Sequence, residues 1–216
     1  DKIEQGLKYG FEAFKIRMDW HELRQDVNLE KDFKMLQAVR NMIPKKYYLG
    51  FDANGGYSES KAIYQGKRFE DLGGISHFEE PVATNNLFAL KNVVKSLKIP
   101  VSFGEYEKTA IRFKEIIQIA NPKIIQPDLL NLGGVTQYLD LFKIVKGKKN
   151  KIMPHSPDIG ILSFTSLHMS SKYSNLPHEF SPELYNYKMK DHAKIFNENI
   201  LPVNGTISLD KYKHGI

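Results

Sequence analysis

Two hydrophobic periodicities alternate along the chain. Stretches with apolar residues every three to four positions are helical in pattern, and the clearest runs from Asn28 to Ile43 with Leu29, Phe33, Leu36, Val39 and Ile43 on one face. Asn28 is placed to cap that helix and Pro44 to end it. Between such stretches lie short runs rich in β-branched and aromatic residues, each bounded by Gly, Pro, Asn or Ser. The pattern predicts a helix over 2–9 stopped at Gly10 and a strand over 11–18. Further strands follow at 47–52, 75–79, 101–105, 123–127, 151–154 and 176–180. Helices are expected between them, around 58–70, 85–97, 108–119, 135–146 and 160–172. Seven strands alternating with helices over short connections imply parallel strands joined by right-handed crossovers.

Polar residues recur at one position of this repeat. Asp52 closes YYLGFD, Glu79 closes SHFE, Glu105 closes PVSFGE, Asp128 closes KIIQPD, His155 closes KIMPH, and Glu179 sits in LPHEF. The intervals of 27, 26, 23, 27 and 24 residues are each one strand, one helix and two loops. In a (β/α) barrel, successive strand C-termini stand around one rim, so residues scattered in sequence become a ring. A doubly wound open sheet would gather its ligands at one switch point instead, and no glycine-rich phosphate loop follows the first strand. The expected fold is therefore α/β, a TIM-type (β/α)7β barrel over residues 1–180. Residues 181–216 are expected to form a partly irregular C-terminal tail packing on the barrel, with a turn at Asn204-Gly205. A full barrel has eight strands, and the sequence offers no strand before its first helix, so a first strand is expected to be missing.

Composition narrows the function classes. With 216 residues and 41% hydrophobic content the chain can bury one core. No apolar stretch reaches the roughly 18 residues of a membrane span and no signal-peptide pattern opens the chain, so no membrane partner and a cytoplasmic location are expected. The absence of Cys excludes disulfides, thiolate metal sites and Cys nucleophiles. The net charge of +6 is spread over helix surfaces, and its one dense cluster, Lys143 to Lys151, has no interleaved aromatic residue to stack a base. It reads as a solvated helix end, and no nucleic-acid partner is expected.

The ring carries the chemistry. Asp52, Glu79 and Glu105 offer hard oxygen donors on three consecutive strands with no soft donor nearby, a set that selects Mg²⁺, or Mn²⁺, over Zn²⁺. Lys15 and Arg17 in FKIR lie two apart and so face one side of their strand. Two cations facing a barrel interior are stable only against acids or an anionic substrate. Asp128 and His155, one strand apart, make a carboxylate–imidazole pair in which the acid fixes the tautomer and the far nitrogen acts as a base. His77 shares strand parity with Glu79 and is read as interior packing.

FKIR, FDAN, FEEP, SFGE, QPDLLNLGGVT and MPHSP, in this order, resemble the barrel domain of the mandelate racemase/muconate lactonizing enzyme group of the enolase superfamily, over roughly residues 5–180. The resemblance implies abstraction of the proton α to a carboxylate through a metal-stabilised enediolate. It implies Asp52, Glu79 and Glu105 as ligands of Mg²⁺ and Asp128–His155 as the dyad of the mandelate racemase-like branch. Glu179 would hydrogen-bond the substrate carboxylate, Asn54 would lie near the substrate, and Glu80 would have a supporting place. It also implies a homo-oligomeric parent enzyme with an N-terminal α+β capping domain, which is expected to be missing here along with the first strand.

One residue departs from the resemblance in a telling way. The family commonly has Lys-x-Lys, whose second lysine serves as a base; here that position is Arg17, which stays protonated. A two-base racemase is disfavoured, whereas His155 alone can remove the α-proton and return it to a departing β-hydroxyl. The expected activity is that of a hydro-lyase converting a sugar acid to a 2-keto-3-deoxy acid, with Lys15 and Arg17 as fixed positive charges. The alternatives are a racemase, epimerase or cycloisomerase of the same superfamily, or a non-catalytic barrel that binds a metal or an anion.

Overall fold

Each strand of the sheet hydrogen-bonds to the strand next to it in sequence, so the chain advances in one direction around the sheet. The computed structural model describes residues 2–18, 23–157, 160–181 and 202–209. The elements in order are α1 (Lys2–Lys8), β1 (Ala13–Arg17), α2 (Leu29–Met42), β2 (Tyr48–Asp52), α3 (Glu59–Leu72), β3 (His77–Glu79), α4 (Leu87–Ser96), β4 (Val101–Phe103), α5 (Ala110–Ile119), β5 (Ile124–Ile125), α6 (Val135–Val145), β6 (Lys151–Ile152) and α7 (Ile161–Tyr173). The six strands are parallel in the order β1-β2-β3-β4-β5-β6. Consecutive helices pack on one another outside them, from α2 through α6. This is the wall of a TIM-type barrel.

The helices begin where short polar side chains satisfy their first amides. Asn28 Oδ1 accepts from Lys31 N at 3.0 Å, Asn86 Oδ1 from Ala89 N at 3.0 Å, and Thr109 Oγ1 from Arg112 N at 3.2 Å. The end of α2 is held differently. Arg40, buried, donates to the carbonyls of Gly74 (2.8 Å), Ile43 (3.1 Å), Tyr47 (3.3 Å) and Pro44, joining the C-terminus of α2 to the approaches of β2 and β3.

Strand alternation divides the sheet into two faces. Phe51 and Phe78 point outward and meet Phe69 of α3, with ring centroids 4.8 and 5.3 Å away. Leu36, Leu49, Leu90, Phe103, Phe113, Ile116 and Ile125 extend this fully buried layer between sheet and helices. Their neighbours in sequence, Asp52, His77 and Glu79, are equally buried but face the interior, where polar groups must find partners.

The predicted seventh strand differs. Residues 176–180 run without ladder pairing among the described residues. The cause is local: Ser174 Oγ donates to Ile152 O at 2.7 Å and accepts from Leu176 N at 3.1 Å, so a side chain takes the β6 carbonyl that a strand amide would use. Pro177 then has no amide to offer. The segment still spans from β6 back to β1, because Glu179 contacts both Ser156 N (3.0 Å) and Lys15 Nζ (3.1 Å). The Asn204-Gly205 turn is present, with φ of +49° and +71°, closed by the Val203–Thr206 bridge and seated against Gly10. Most of the expected 181–216 tail lies outside the described residues. No helix among those described is long and apolar enough to cross a membrane.

Candidate active site

The C-terminal ends of β2, β3 and β4 bring three carboxylates together. Asp52, Glu79 and Glu105 are buried, and each offers an oxygen within 4.8 Å of the others'. Asp52 Oδ1 accepts from Asn54 N at 2.9 Å across a turn in which Asn54 takes a left-handed φ of +49°. Glu105 follows Gly104, whose φ of +122° and contact with Phe113 leave no room for a Cβ: one would stand 2.4 Å from the ring.

Glu79 is the most completely held of the three. Lys15 Nζ donates to its Oε1 at 2.7 Å, Gln126 Nε2 donates to its Oε2 at 2.7 Å, and His77 Nε2 lies 3.1 Å from the same Oε2. Burial works to raise its pKa, but Lys15 and then His77 outweigh it and hold Glu79 well below the usual carboxylate range. Lys15 also lies 3.1 Å from Glu179 and 4.0 Å from Asp52. Burial opposes its charge, yet the three acids raise its pKa well above the ordinary lysine value.

Across the rim, the parallel bridge between Asp128 and His155 places Nδ1 2.9 Å from Asp128 Oδ2, while Nε2 points inward, 3.3 Å from Glu105 Oε2. Asp128 is itself fixed by Asn131 N at 2.8 Å. Burial opposes protonation of His155, but the Asp128 bond, with Glu179 and Glu105, lifts its pKa to about 9.

The predicted residues do not all converge. Asp52, Glu79, Glu105, Asp128, His155, Lys15 and Glu179 form one connected cluster. Arg17 ends β1 opposite Asp52 in register but is exposed, and it makes no ion pair among the described residues. Asn54 turns its side chain to Met18 O at 3.3 Å.

The fold draws three further residues to the cluster, of which Gln126 had no part in the sequence-based expectations. His77 does more than pack, because its ring bonds Glu79. Gln126 does the same from β5's end. Strand parity was the available signal, since each lies two residues before a ring acid. Glu80, with a positive φ of 38°, is buried, and neither carboxylate oxygen has a hydrogen-bond partner among the described residues. Burial, then Glu105 and Asp52, raise its pKa well above normal.

The donor set can therefore be tested against a metal ion. Burial and Glu79 push Asp52 up to about 8, and burial raises Glu105. Lys15 and His155 do not offset this crowding of acids. A divalent cation among three oxygen donors would, so the residues fit Mg²⁺.

The family model described as enolase C-terminal domain-like matches residues 1–216. Arabinonate dehydratase of Saccharolobus solfataricus is 28% identical over 201 residues, covering 92% of this chain and 50% of that protein. D-galactarolactone cycloisomerase of Agrobacterium fabrum is 29% identical over 173 residues, covering 80% of this chain and 44% of that one. The solved structure of a mandelate racemase/muconate lactonizing protein from Paracoccus denitrificans complexed with magnesium superposes with a TM-score of 0.76 at 32% identity, covering 81% of this chain and 47% of that one. The chain thus spans about half the length of the relatives it matches. Motif order, barrel wall, rim cluster and family match agree, and the chain belongs to the enolase C-terminal domain-like family, within the mandelate racemase/muconate lactonizing enzyme group of the enolase superfamily.

Proposed function

We propose that this chain is the catalytic barrel of a Mg²⁺-dependent hydro-lyase that dehydrates a sugar acid to a 2-keto-3-deoxy acid. The observation that carries the reading is the orientation of His155: Nδ1 is tied to Asp128 at 2.9 Å and Nε2 is turned toward the three-carboxylate cluster. A substrate whose carboxylate lay at the cluster would present its α-carbon to that nitrogen.

In this reading, Asp52, Glu79 and Glu105 hold Mg²⁺, which when bound acts as a Lewis acid toward the substrate carboxylate. In its neutral form, which a cation drawing off the Glu105 charge that helps hold a proton on the ring would favour, His155 Nε2 takes the α-proton, and the C–H electron pair moves into the carboxylate to give an enediolate. As the pair returns, the C–O bond at the β-carbon breaks and the hydroxide leaves with the proton from His155, as water. The resulting enol tautomerises to the 2-keto acid. Asp128 keeps the imidazole in the required tautomer. Lys15 supplies a fixed positive charge beside the cluster, and Arg17 a second at the strand mouth. Glu179 positions Lys15 and, with Asn54, borders the substrate. The seating of the described 204–205 turn against Gly10 supports the division into a barrel over 1–180 and a tail over 181–216.

The likeness to a dehydratase supports water loss. The likeness to a cycloisomerase supports a second reading in which the same enediolate is protonated or cyclised without losing water. Incubating the chain with Mg²⁺ and a panel of mono- and di-acid sugars, and assaying 2-keto acid, separates the two. Keto acid that disappears with chelator and in His155→Asn supports dehydration. Exchange of the α-proton with solvent deuterium, without keto acid, replaces it with the second reading. Neither product from any acid overturns both.

A further inference from the structure

Glu79 has no exposed surface, and its two oxygens are not used alike. Oε2 accepts from Gln126 Nε2 at 2.7 Å and faces His77 Nε2 at 3.1 Å, whereas among the described residues Oε1 accepts only from Lys15, at 2.7 Å. A carboxylate oxygen accepts about two hydrogen bonds, so Oε2 is filled and Oε1 keeps a free lone pair. Because a carboxylate cannot donate, the proton on this side of His77 belongs to Nε2. The opposite nitrogen, Nδ1, is buried with no partner among the described residues, so the ring's one side-chain hydrogen bond there is the one to Glu79.

The ring is held in place from two sides. Gly50 is its register partner on β2, and a Cβ at Gly50 would stand 2.0 Å from His77 Cε1 and 2.7 Å from both ring nitrogens. Two residues earlier on the same strand face, the Tyr48 ring centroid lies 5.4 Å from that of His77, and the Tyr48 hydroxyl bonds Met153 Sδ at 3.8 Å. The glycine is therefore the space in which the imidazole lies.

We infer that His77 is a positioning residue for the metal centre: with Gln126 it saturates Oε2 of Glu79 and so presents Oε1 alone, as a single fixed donor, to the cation, while Gly50 is the cradle that lets the imidazole reach it. This rests on the reading of Asp52, Glu79 and Glu105 as the Mg²⁺ site. Partners behind a metal ligand typically alter affinity about 10- to 100-fold when removed.

The test titrates Mg²⁺ calorimetrically into the full chain and into His77→Ala, His77→Gln, Gly50→Ala and the His77→Ala/Gly50→Ala double variant, with a melt of each metal-free protein. His77→Ala and Gly50→Ala are each expected to weaken Mg²⁺ by about 10-fold or more. His77→Gln recovers most of the loss, since its amide can donate to the same oxygen. The double variant is no weaker than His77→Ala, because the added methyl no longer meets a ring. Nitrogen chemical shifts of the metal-free chain should show the His77 proton on Nε2. Wild-type affinity in His77→Ala with only a lowered Tm would mean packing alone and overturn the inference, as would the absence of a proton on Nε2. Failure of the wild-type chain to bind Mg²⁺ would instead overturn the three-carboxylate site itself.

Discussion

His155 Nε2 lies 3.3 Å from Glu105 Oε2, and the far nitrogen of the same ring lies 2.9 Å from Asp128 Oδ2. One imidazole thus joins the outer carboxylate of the dyad to a carboxylate of the acidic cluster. In the proposed reaction two duties fall to different atoms: Asp128 orients the ring, and Nε2 faces the place where a substrate carbon would lie. His155→Asn should therefore abolish proton transfer while sparing cation binding. Turnover is expected to fall by at least about 100-fold, the lower range for a general base. Mg²⁺ affinity should change only a few-fold. Steady-state kinetics and calorimetry on the same preparations check both halves.

Asp52 makes a prediction about pH. Burial, then Glu79, raises it from 3.8 to about 8. An acid whose pKa is raised on folding binds more protons in the native state, so its contribution is greatest below about 4 and is lost as pH rises toward 8. Asp52→Asn removes that loss. The metal-free variant should melt above the wild-type chain at pH 8, and the difference should shrink on acidification. Saturating Mg²⁺ reverses the order: at 100 times Kd it stabilises the wild-type chain by about 2.7 kcal/mol and leaves Asp52→Asn nearly unmoved. Melts at several pH values, with and without Mg²⁺, decide it.

Lys15 and Glu79, 2.7 Å apart, form an ion pair whose acid is fully buried. Lys15→Met leaves Glu79 buried without its cation and should cost on the order of 3 kcal/mol. Adding Glu79→Gln to that variant should restore part of the loss, since the uncompensated charge is gone. Urea unfolding of the two single variants and the double variant measures the coupling. Additive losses would mean that the pair carries no special weight.

Arg40 tests the scaffold apart from the site. Its guanidinium serves the carbonyls of Ile43, Pro44, Tyr47 and Gly74, and among the described residues none of its hydrogen bonds goes to a site residue. Arg40→Met strands those carbonyls and should destabilise the chain by about 3 kcal/mol, given the cost of buried polar groups left unpaired. Mg²⁺ affinity of the folded fraction should stay unchanged. Denaturation together with a Mg²⁺ titration distinguishes scaffold from site.

Much of this arrangement was legible in the sequence because one chemical type recurs at one position of a repeating unit. The regular spacing of Asp52, Glu79, Glu105, Asp128 and His155 became a rim once the strands were parallel and consecutive. The helix at 29–42 was legible from its periodicity and its Asn28 cap. Position along a strand, however, does not reveal what a side chain touches across the barrel. His77 looked like packing because only the folded register sets Gly50 beside it and leaves its ring reaching Glu79. Residues 176–180 carry a strand-like pattern, yet Ser174 takes the carbonyl that a ladder would need. Lys15 and Arg17 share a strand face but not a fate, since one is drawn into the acids and the other stays exposed at the mouth.

The central claim is that Asp52, Glu79 and Glu105 together form one cation site. Crystals of the chain grown with Mn²⁺ in place of Mg²⁺ test it directly through the anomalous signal of the metal. The account predicts a single strong peak bonded to one oxygen from each of the three carboxylates, with Glu79 contributing Oε1. A peak elsewhere, or none at saturating Mn²⁺, would contradict it.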